Sequence, residues 1–422
     1  MPKTFRPYDP DQMLLLPPSV REWVPDGDLA HFINDVVDVL DLSAIEEVYE
    51  EELRGYPPYH PRMMTKLWLY AYAVGNRSCR KLAMLTQRDV GFMMLAAGNR
   101  PDFRTLNSFR LRHLPALAGL FIQVLRLCEK KGLIKLRHVA VDGTRVKANA
   151  SKHSAMSYGR MKQEEERIRA EVEAYFKECD RVDAEEDELF GPDKRGDELP
   201  EELQTAERRR RAIKEAMAEL EREAKAAGQG EPKEKAQRNF TDPESRIMKG
   251  SEGAFIQGYN AQAAVDAEKQ IIVAATLTNS AADAGQLLAV VDLIGDHMRR
   301  EPSQVSADAG YCSEDNLTGL AERGIDAYVA TGRMSRSYRC SPAPRGRIPS
   351  HLTVRERMQR KLMTRRGRRT YRQRQQVVEP VFGQIRNKGM IRLWLRGEVK
   401  ALGEWLLHCI GHNLTKLHPV WS

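Results

Sequence analysis

The sequence predicts an α/β protein with a mixed β-sheet, because strand-like and helical patterns alternate along its second half. Short apolar runs end at Asp142 and Asp308, while Ala254–Asp266 and Gln270–Thr278 have the length and composition of two adjacent strands. The apolar spacing of Ala282–Met298 is typical of an amphipathic helix. The predicted order is β, insertion, β, β, α, β, α, β, which favours a layered α/β core.

Residues 1–135 differ from this core, since their apolar residues recur at helical spacing. Met63–Val74 and Cys79–Ala97 each carry one apolar face and predict a helical N-terminal domain. Short helices joined by tight turns, with Arg104 and Arg110 among their basic residues, suit a helix-turn-helix-like contact with DNA. A helical domain without DNA contact is the alternative.

Residues 161–235 contain 24 acidic and 16 basic residues and form a separate charged insertion. Two narrow apolar stripes predict a helical hairpin, with an antiparallel coiled coil as one form and partial disorder as the alternative. The stripes consist of Ile168, Val172, Tyr175 and Phe176, and of Leu203, Ile213, Met217 and Leu220. The catalytic core is then expected at 136–160 and 236–400, followed by a C-terminal helix within 401–422.

Composition excludes several classes of protein. No run of about 18 apolar residues is present, which argues against a membrane span. Residues 1–10 contain no apolar signal core, so we expect a cytoplasmic protein. None of the six cysteines forms a Cys-x-x-Cys pair, which argues against a zinc knuckle and favours isolated reduced thiols.

The positive charge is concentrated in one segment. Arg333–Lys400 holds 20 Lys and Arg against three acids, a net of +17 in a chain whose formal charge is +8. A polyanion is the natural partner of such a segment. A solvated tail or a localisation signal is the alternative.

Three acids are candidates for metal-dependent chemistry. Asp142 and Asp308 each follow a predicted strand, and Gly143 and Gly310 are expected to turn the backbone away and expose the carboxylates. Open α/β sheets bind ligands at the carboxyl ends of their strands. Glu379 stands alone in a cationic helix. Two-metal cleavage of a phosphodiester needs about three converging carboxylates and no Cys or His cluster, so the pattern favours a metal nuclease. Each acid taken singly could instead be a turn or cap residue.

Three segments resemble motifs of bacterial insertion-sequence transposases of the Asp-Asp-Glu type. Val141–Ser151 and Ser306–Tyr311 resemble the two aspartate motifs, and Tyr371–Arg386 resembles the glutamate helix. In one group of this family, that helix carries Tyr, two residues, Arg, three residues, Glu, six residues, then Lys or Arg. Here four residues separate Arg374 from Glu379, and Arg386 takes the lysine position. Further similar segments extend the resemblance over nearly the whole chain: Asp102–Thr105, Asn239–Ser245 and Gly258–Gln262.

The resemblance implies an RNase H-like (retroviral integrase-like) core. It implies that Asp142, Asp308 and Glu379 are catalytic and bind Mg²⁺, for which Mn²⁺ can substitute. We expect double-stranded DNA to contact six further residues: Arg374, Arg386, Tyr371, Lys388, Arg104 and Arg110.

The predicted function is that of a transposase that binds terminal inverted repeats, cleaves DNA and transfers 3′-hydroxyl ends to target DNA. Holding two ends together implies at least a homodimer in the working complex, in the bacterial nucleoid. One rival is an RNase H-like nuclease without strand transfer, and another is a catalytically silent DNA-binding repressor or domesticated protein. His408 and His412 have a spacing that can bind zinc, although packed helix histidines are favoured. Asn260 and Gln262 are either site residues or structural polar residues of a strand.

Overall fold

The predicted mixed α/β core is confirmed in the computed structural model, which describes residues 19–50, 57–151, 154–190, 201–250, 253–332 and 342–421. The strands are β1 (Val139–Lys147), β2 (Ala155–Ser157), β3 (Gln237–Asn239), β4 (Arg246–Lys249), β5 (Phe255–Asp266), β6 (Ile272–Thr278), β7 (Gln304–Ala307) and β8 (Asp326–Val329). In the main sheet, β5 has β1 on one side and both β4 and β6 on the other, and β7 and β8 continue beyond β1. β1 is antiparallel to β5 and parallel to β7, and β7 is parallel to β8. This mixed sheet is consistent with an RNase H-like core.

Seven α-helices precede the sheet in the described part of the chain. They are α1 (Leu29–Val39), α2 (Ser43–Glu50), α3 (Pro61–Ala73), α4 (Cys79–Leu85), α5 (Val90–Leu95), α6 (Phe103–Arg112) and α7 (Leu114–Lys130). Side-chain caps explain several of their starts, since Asp28, Ser78, Asp89 and Asp102 each accept a hydrogen bond from a backbone N–H in the first turn. The first ten residues, where a signal core was excluded, lie outside the described residues.

The insertion between β1 and β5 begins and ends at the small β2–β3 ribbon. Its helices are α8 (Tyr158–Phe190) and α9 (Glu201–Ala226). Tyr158 donates to Glu221, and Arg210 lies 2.9 Å from Glu165, so the two helices run antiparallel. Ile168, Val172, Ile213 and Leu220 are buried together, as the stripes predict. The side chains of Phe176 and Leu203 lie outside the described residues.

The remaining helices are α10 (Leu287–Met298), α11 (Glu314–Glu322), α12 (Val354–Met363), α13 (Arg365–Asn387) and α14 (Glu398–Leu417). α14 packs against α3, α7 and β6, so it joins the helical domain to the sheet. Asn413 exchanges two 2.9 Å hydrogen bonds with the backbone of Ile272 at the start of β6. One continuous hydrophobic core therefore includes Trp68 of α3, Val141 of β1 and Trp405 of α14.

A buried carboxylate ties α14 to the segment that follows α13. Glu404 is fully buried and accepts hydrogen bonds from the backbone N–H groups of Trp394 and Leu395, at 2.8 and 2.9 Å. Burial raises its pKa, while these hydrogen bonds and the guanidinium groups of Arg110 and Arg77 oppose the shift. This carboxylate thus connects the helical domain, α14 and the chain leaving the glutamate helix.

Of the helices in the described ranges, none is by itself long and apolar enough to cross a membrane. Taken together, α6 and α7 are long and apolar enough, but the two helices are bent by 69° relative to each other.

Candidate active site

Asp142 and Asp308 lie side by side where two parallel strands diverge. The β1–β7 pairing ends with Ala140 opposite Ser306, and each aspartate follows two residues later. Neighbouring strands are about 4.8 Å apart, so this register brings the two aspartates together. The prediction that Asp142 ends its strand is wrong, because β1 continues to Lys147 along its antiparallel partner β5.

The two faces of β1 have different roles. Asp142 and Thr144 face α13, where they accept hydrogen bonds from Arg374 and Arg386 at 2.9 and 2.5 Å. Side chains alternate along a strand, so Gly143 points to the opposite face, where it pairs with Gln262. A Cβ at Gly143 would overlap the Gln262 amide. The glycine therefore makes room for this amide. The prediction that it turns the backbone away is wrong, because β1 continues through it.

Arg374 connects two of the three predicted acids. Its Nη1 lies 2.9 Å from Asp142 Oδ2, and its Nη2 lies 3.8 Å from Glu379 Oε1. Burial disfavours the charged guanidinium, but Asp142, Tyr371 and Asp308 outweigh that effect and raise the pKa of Arg374. The side chain is 9% exposed. In this arrangement Arg374 is an internal counterion of the acids and not an open DNA contact.

The surroundings of Asp142 raise the pKa of its carboxyl group. Burial raises its pKa to about 6, Arg374 opposes this shift, and Asp308 adds to it. A carboxylate that is removed from water and lies beside a second carboxylate needs a nearby cation to remain ionised. The pocket therefore has the electrostatic character of a cation site.

Glu379 reaches the site from a continuous helix that lacks one backbone hydrogen bond beside it. Pro380, inside α13, has no N–H to donate to the carbonyl of Gln376 one turn earlier. That carbonyl instead accepts from Gln270 Nε2 at 3.0 Å, so the turn between β5 and β6 completes the helix. The Glu379 side chain is 54% exposed, so of the two acids that contact Arg374 it is the one open to solvent.

Asp308 starts a 3₁₀ turn, Ala309–Tyr311, that leads away from β7. Its Oδ1 accepts from the backbone N–H of Gly310 at 2.8 Å, which fixes one carboxylate oxygen. Tyr311 is fully buried and donates to Gln262 on β5. Burial raises the pKa of Tyr311, and Asp283, Asp142 and Asp308 raise it further, so three carboxylates lie near its hydroxyl.

Asp283 is the site residue that the sequence did not reveal. It lies within the predicted helix Ala282–Met298, but the α-helix begins only at Leu287. Its carboxylate accepts from both Asn260 and Gln262, which places these two polar strand residues beside the site. No local pattern distinguishes Asp283 from a helix-capping acid, so only the tertiary contacts identify it.

The chemistry of these donors fits a hard divalent cation. Asp142, Asp308 and Glu379 offer only carboxylate oxygens, which Mg²⁺ and Mn²⁺ prefer. Within the described ranges, no group of three or more His, Cys, Asp or Glu side chains is arranged to hold a metal ion. The guanidinium of Arg374 lies between Asp142 and Glu379 and supplies the positive charge there.

Two regions of the chain match family models. Residues 224–414 match the transposase DDE domain, and residues 18–112 match the transposase domain DUF772. The chain belongs to the DDE transposases. The first match includes Asp308 and Glu379, whereas Asp142 lies before it. No similarity to a curated protein or to a solved structure was found. Membership confirms the enzyme class predicted from the sequence.

Three other predicted DNA contacts of the transposase lie on α13 or directly after it. Arg386 is exposed and donates to Thr144, two residues beyond Asp142. Tyr371 is partly buried, with its ring 5.8 Å from the Arg374 guanidinium. Lys388 donates to Thr415, and burial together with Lys416 lowers its pKa to about 8. Arg386 is thus the one of the three with an exposed side chain next to the acids.

Arg104 and Arg110 differ in burial on α6. Arg104 is exposed, together with Ser108 and Arg112, at intervals of four residues along one helix face. Arg110 is 2% exposed, and its guanidinium lies 4.4 Å from the Trp68 ring centre, so this side chain lies inside the helical domain and not on its surface. Arg110 stabilises the interior of the helical domain of the transposase.

The histidine pair of α14 is buried. His412 forms a 2.8 Å hydrogen bond with the carbonyl of Gln270, and the ring of His408 packs edge-on against Tyr72. Burial lowers both pKa values, that of His412 to about 4. These contacts are those of packed helix histidines.

Proposed function

We propose that the transposase binds the terminal inverted repeats of its mobile element, cleaves phosphodiester bonds to free 3′-hydroxyl ends, and joins these ends to target DNA. The observation that carries the proposal is the register of β1 and β7. It places Asp142 beside Asp308, while Arg374 of α13 links Asp142 to Glu379 on the same helix. Cleavage and joining are both in-line phosphoryl transfers, so one set of residues can serve both steps.

Asp142, Asp308 and Glu379 would hold Mg²⁺, or Mn²⁺ in its place, which supplies Lewis-acid stabilisation of the attacking and leaving oxygens. Arg374 neutralises Asp142 in the arrangement described, and away from it the same guanidinium can pair with a DNA phosphate. Arg386 is exposed and donates to Thr144, which follows Asp142 by two residues on β1. It would hold a phosphate near the scissile bond. Tyr371 and Lys388 would contact the same bound DNA.

The remaining DNA contacts are proposed on two exposed cationic surfaces. The first is the α6 face formed by Arg104, Ser108 and Arg112, which would read the terminal repeat. The second, here called the arginine ridge, consists of Arg365, Arg366, Arg369 and Arg372 on the first half of α13. The ridge leads along the helix towards Glu379 and would make salt-sensitive phosphate contacts. Because two element ends must be joined, the working complex is at least a homodimer.

Cleavage by single variants tests the catalytic assignment. Asp142→Asn, Asp308→Asn and Glu379→Gln should each abolish Mg²⁺-dependent nicking of a DNA that carries the element's ends, without loss of end binding. Asp292→Asn is the matched control, because Asp292 is half-exposed on α10 and pairs with Arg323. Nicking by the Asp142→Asn protein would refute the assignment.

Product analysis separates the rival functions. Labelled ends covalently joined to a target plasmid indicate strand transfer, whereas cut but unjoined ends indicate a nuclease. Tight binding of the repeats with no nicking in Mg²⁺ or Mn²⁺ would indicate a catalytically silent DNA-binding protein.

DNA affinity tests the α6 surface. Arg104→Ala and Arg112→Ala should weaken binding to the terminal repeat. Loss of each phosphate contact should lower the slope of log affinity against log salt concentration by about one. Arg208→Ala, an exposed arginine on the insertion, serves as the control. Unchanged repeat affinity in the Arg104→Ala/Arg112→Ala double variant would exclude α6 as the reading surface.

A further inference from the structure

Asp283 is a buried carboxylate on the face of the sheet opposite α13. Its Oδ1 accepts from Asn260 Nδ2 at 2.7 Å and from Gln262 Nε2 at 3.0 Å. Its Oδ2 accepts from Arg145 Nη2 at 2.9 Å, and the side chain is 10% exposed. Three donors from two strands therefore converge on one acid that precedes α10.

The same carboxylate lies against the turn that follows Asp308. A Cβ built at Gly310 would lie 3.1 Å from Asp283 Oδ2 and 3.1 Å from Asp308 Oδ1, so the two carboxylates flank this glycine. Asn316 Nδ2 donates to the carbonyls of Ala284 and Tyr311, at 2.6 and 2.7 Å. The segment that contains Asp283 therefore contacts the turn after Asp308 at Gly310 and is bridged to it by Asn316.

The hydrogen bonds between these groups have a defined direction. Tyr311 donates to Gln262 Oε1, and Gln262 Nε2 donates to Asp283. A carboxylate can only accept, so it orients the Gln262 amide with its oxygen towards Tyr311. An asparagine at position 283 could keep both strand amides on its Oδ1 only by turning its NH₂ group towards the Arg145 guanidinium, which is itself a donor. The position therefore requires an acid and not merely a polar residue.

We propose that Asp283 is a positioning residue, which holds the Asp308 turn so that the Asp308 carboxylate can bind the divalent cation together with Asp142. The proposal rests on the proposed function of the triad. Asp283 acts through Gln262, Tyr311 and the Gly310 backbone, and it needs no contact with DNA. Groups that orient metal ligands in this way typically change metal affinity about 10- to 100-fold when they are replaced.

Metal binding by the full-length protein tests this role. Free Mn²⁺ is measured by electron paramagnetic resonance during a titration of wild type, Asp283→Asn and Asp292→Asn proteins. We expect Asp283→Asn to weaken Mn²⁺ binding at least about tenfold, with unchanged affinity for terminal-repeat DNA. Its cleavage should be recovered in part at high Mg²⁺. Wild-type Mn²⁺ affinity in a folded Asp283→Asn protein would overturn the proposal.

Tyr311→Phe provides a second variant that removes only the hydroxyl donor to Gln262. If Asp283→Asn does not fold, Tyr311→Phe should still weaken Mn²⁺ binding, and wild-type affinity in that variant would overturn the proposal. Asp308→Asn separates this inference from the proposed function. If Asp308→Asn loses Mn²⁺ binding while Asp283→Asn retains it, only the positioning role fails. If neither affects Mn²⁺ binding, the metal assignment of the triad fails as well.

Discussion

Replacing Glu404 by alanine should strongly destabilise the junction between the helical domain and the core. The variant leaves the buried N–H group of Leu395 and the part-buried N–H group of Trp394 without an acceptor. An unsatisfied buried donor costs about 1–3 kcal/mol, so the Leu395 group sets this scale and the Trp394 group adds to it. Two arginines, Arg110 and Arg77, would also lose a nearby negative charge. Such a loss is a large share of the stability of a typical domain.

Urea unfolding followed by tryptophan fluorescence measures this effect. Glu404→Gln should be milder than Glu404→Ala, because one amide oxygen can still accept both N–H groups. Glu322→Ala, an exposed acid on α11, is the control and should match the wild type. A Glu404→Ala protein whose unfolding free energy lies within about 1 kcal/mol of wild type would refute the argument from unsatisfied donors.

Three further predictions concern single residues. Gly143→Ala should slow single-turnover cleavage about 100-fold by displacing the Gln262 amide, and an unchanged rate would contradict this. Arg374→Gln should lower the free energy of unfolding by about 3 kcal/mol, because it leaves Asp142 unpaired. Mg²⁺ should raise the melting temperature of this variant more than that of the wild type, and equal shifts would count against the counterion role. His412 has a pKa of about 4 when folded and about 6.5 when unfolded, so the unfolded chain binds the proton more readily. Stability should therefore fall as pH drops from 6.5 towards 4, by about 2 kcal/mol at pH 5, and His412→Gln should flatten this slope in urea titrations.

The sequence predicts those features that depend on local periodicity. Apolar spacing predicts the order of β1, β5, β6, α10, β7, α11 and β8, although it does not predict the short edge strand β4. The pairing of β5 with β6 follows from two adjacent strand patterns. The end of β1 could not be predicted in this way. Asp142-Gly143-Thr144 has the composition of a turn, yet β5 pairs with it along its full length. Tertiary pairing overrides the local preference there.

Two further differences between the sequence prediction and the structure concern side chains that tertiary packing buries. Arg110 occupies a basic helix and resembles its neighbour Arg104 in sequence, but its place beside Trp68 puts it inside the domain. Asp283 was missed for the complementary reason. Its three donors come from residues more than 20 positions earlier in the chain, so no local pattern could assign it a partner.

The packing of α14 has a consequence for when the protein becomes active during synthesis. α14 contacts α3 and α7, so the first-made helices lack part of their support until residues 398–417 have left the ribosome. By then Asp142, Asp308 and Glu379 have all been translated. Under the proposed function, nascent or truncated chains would therefore be poor competitors for the element's ends, and a chain able to hold an end would already contain all three proposed catalytic acids.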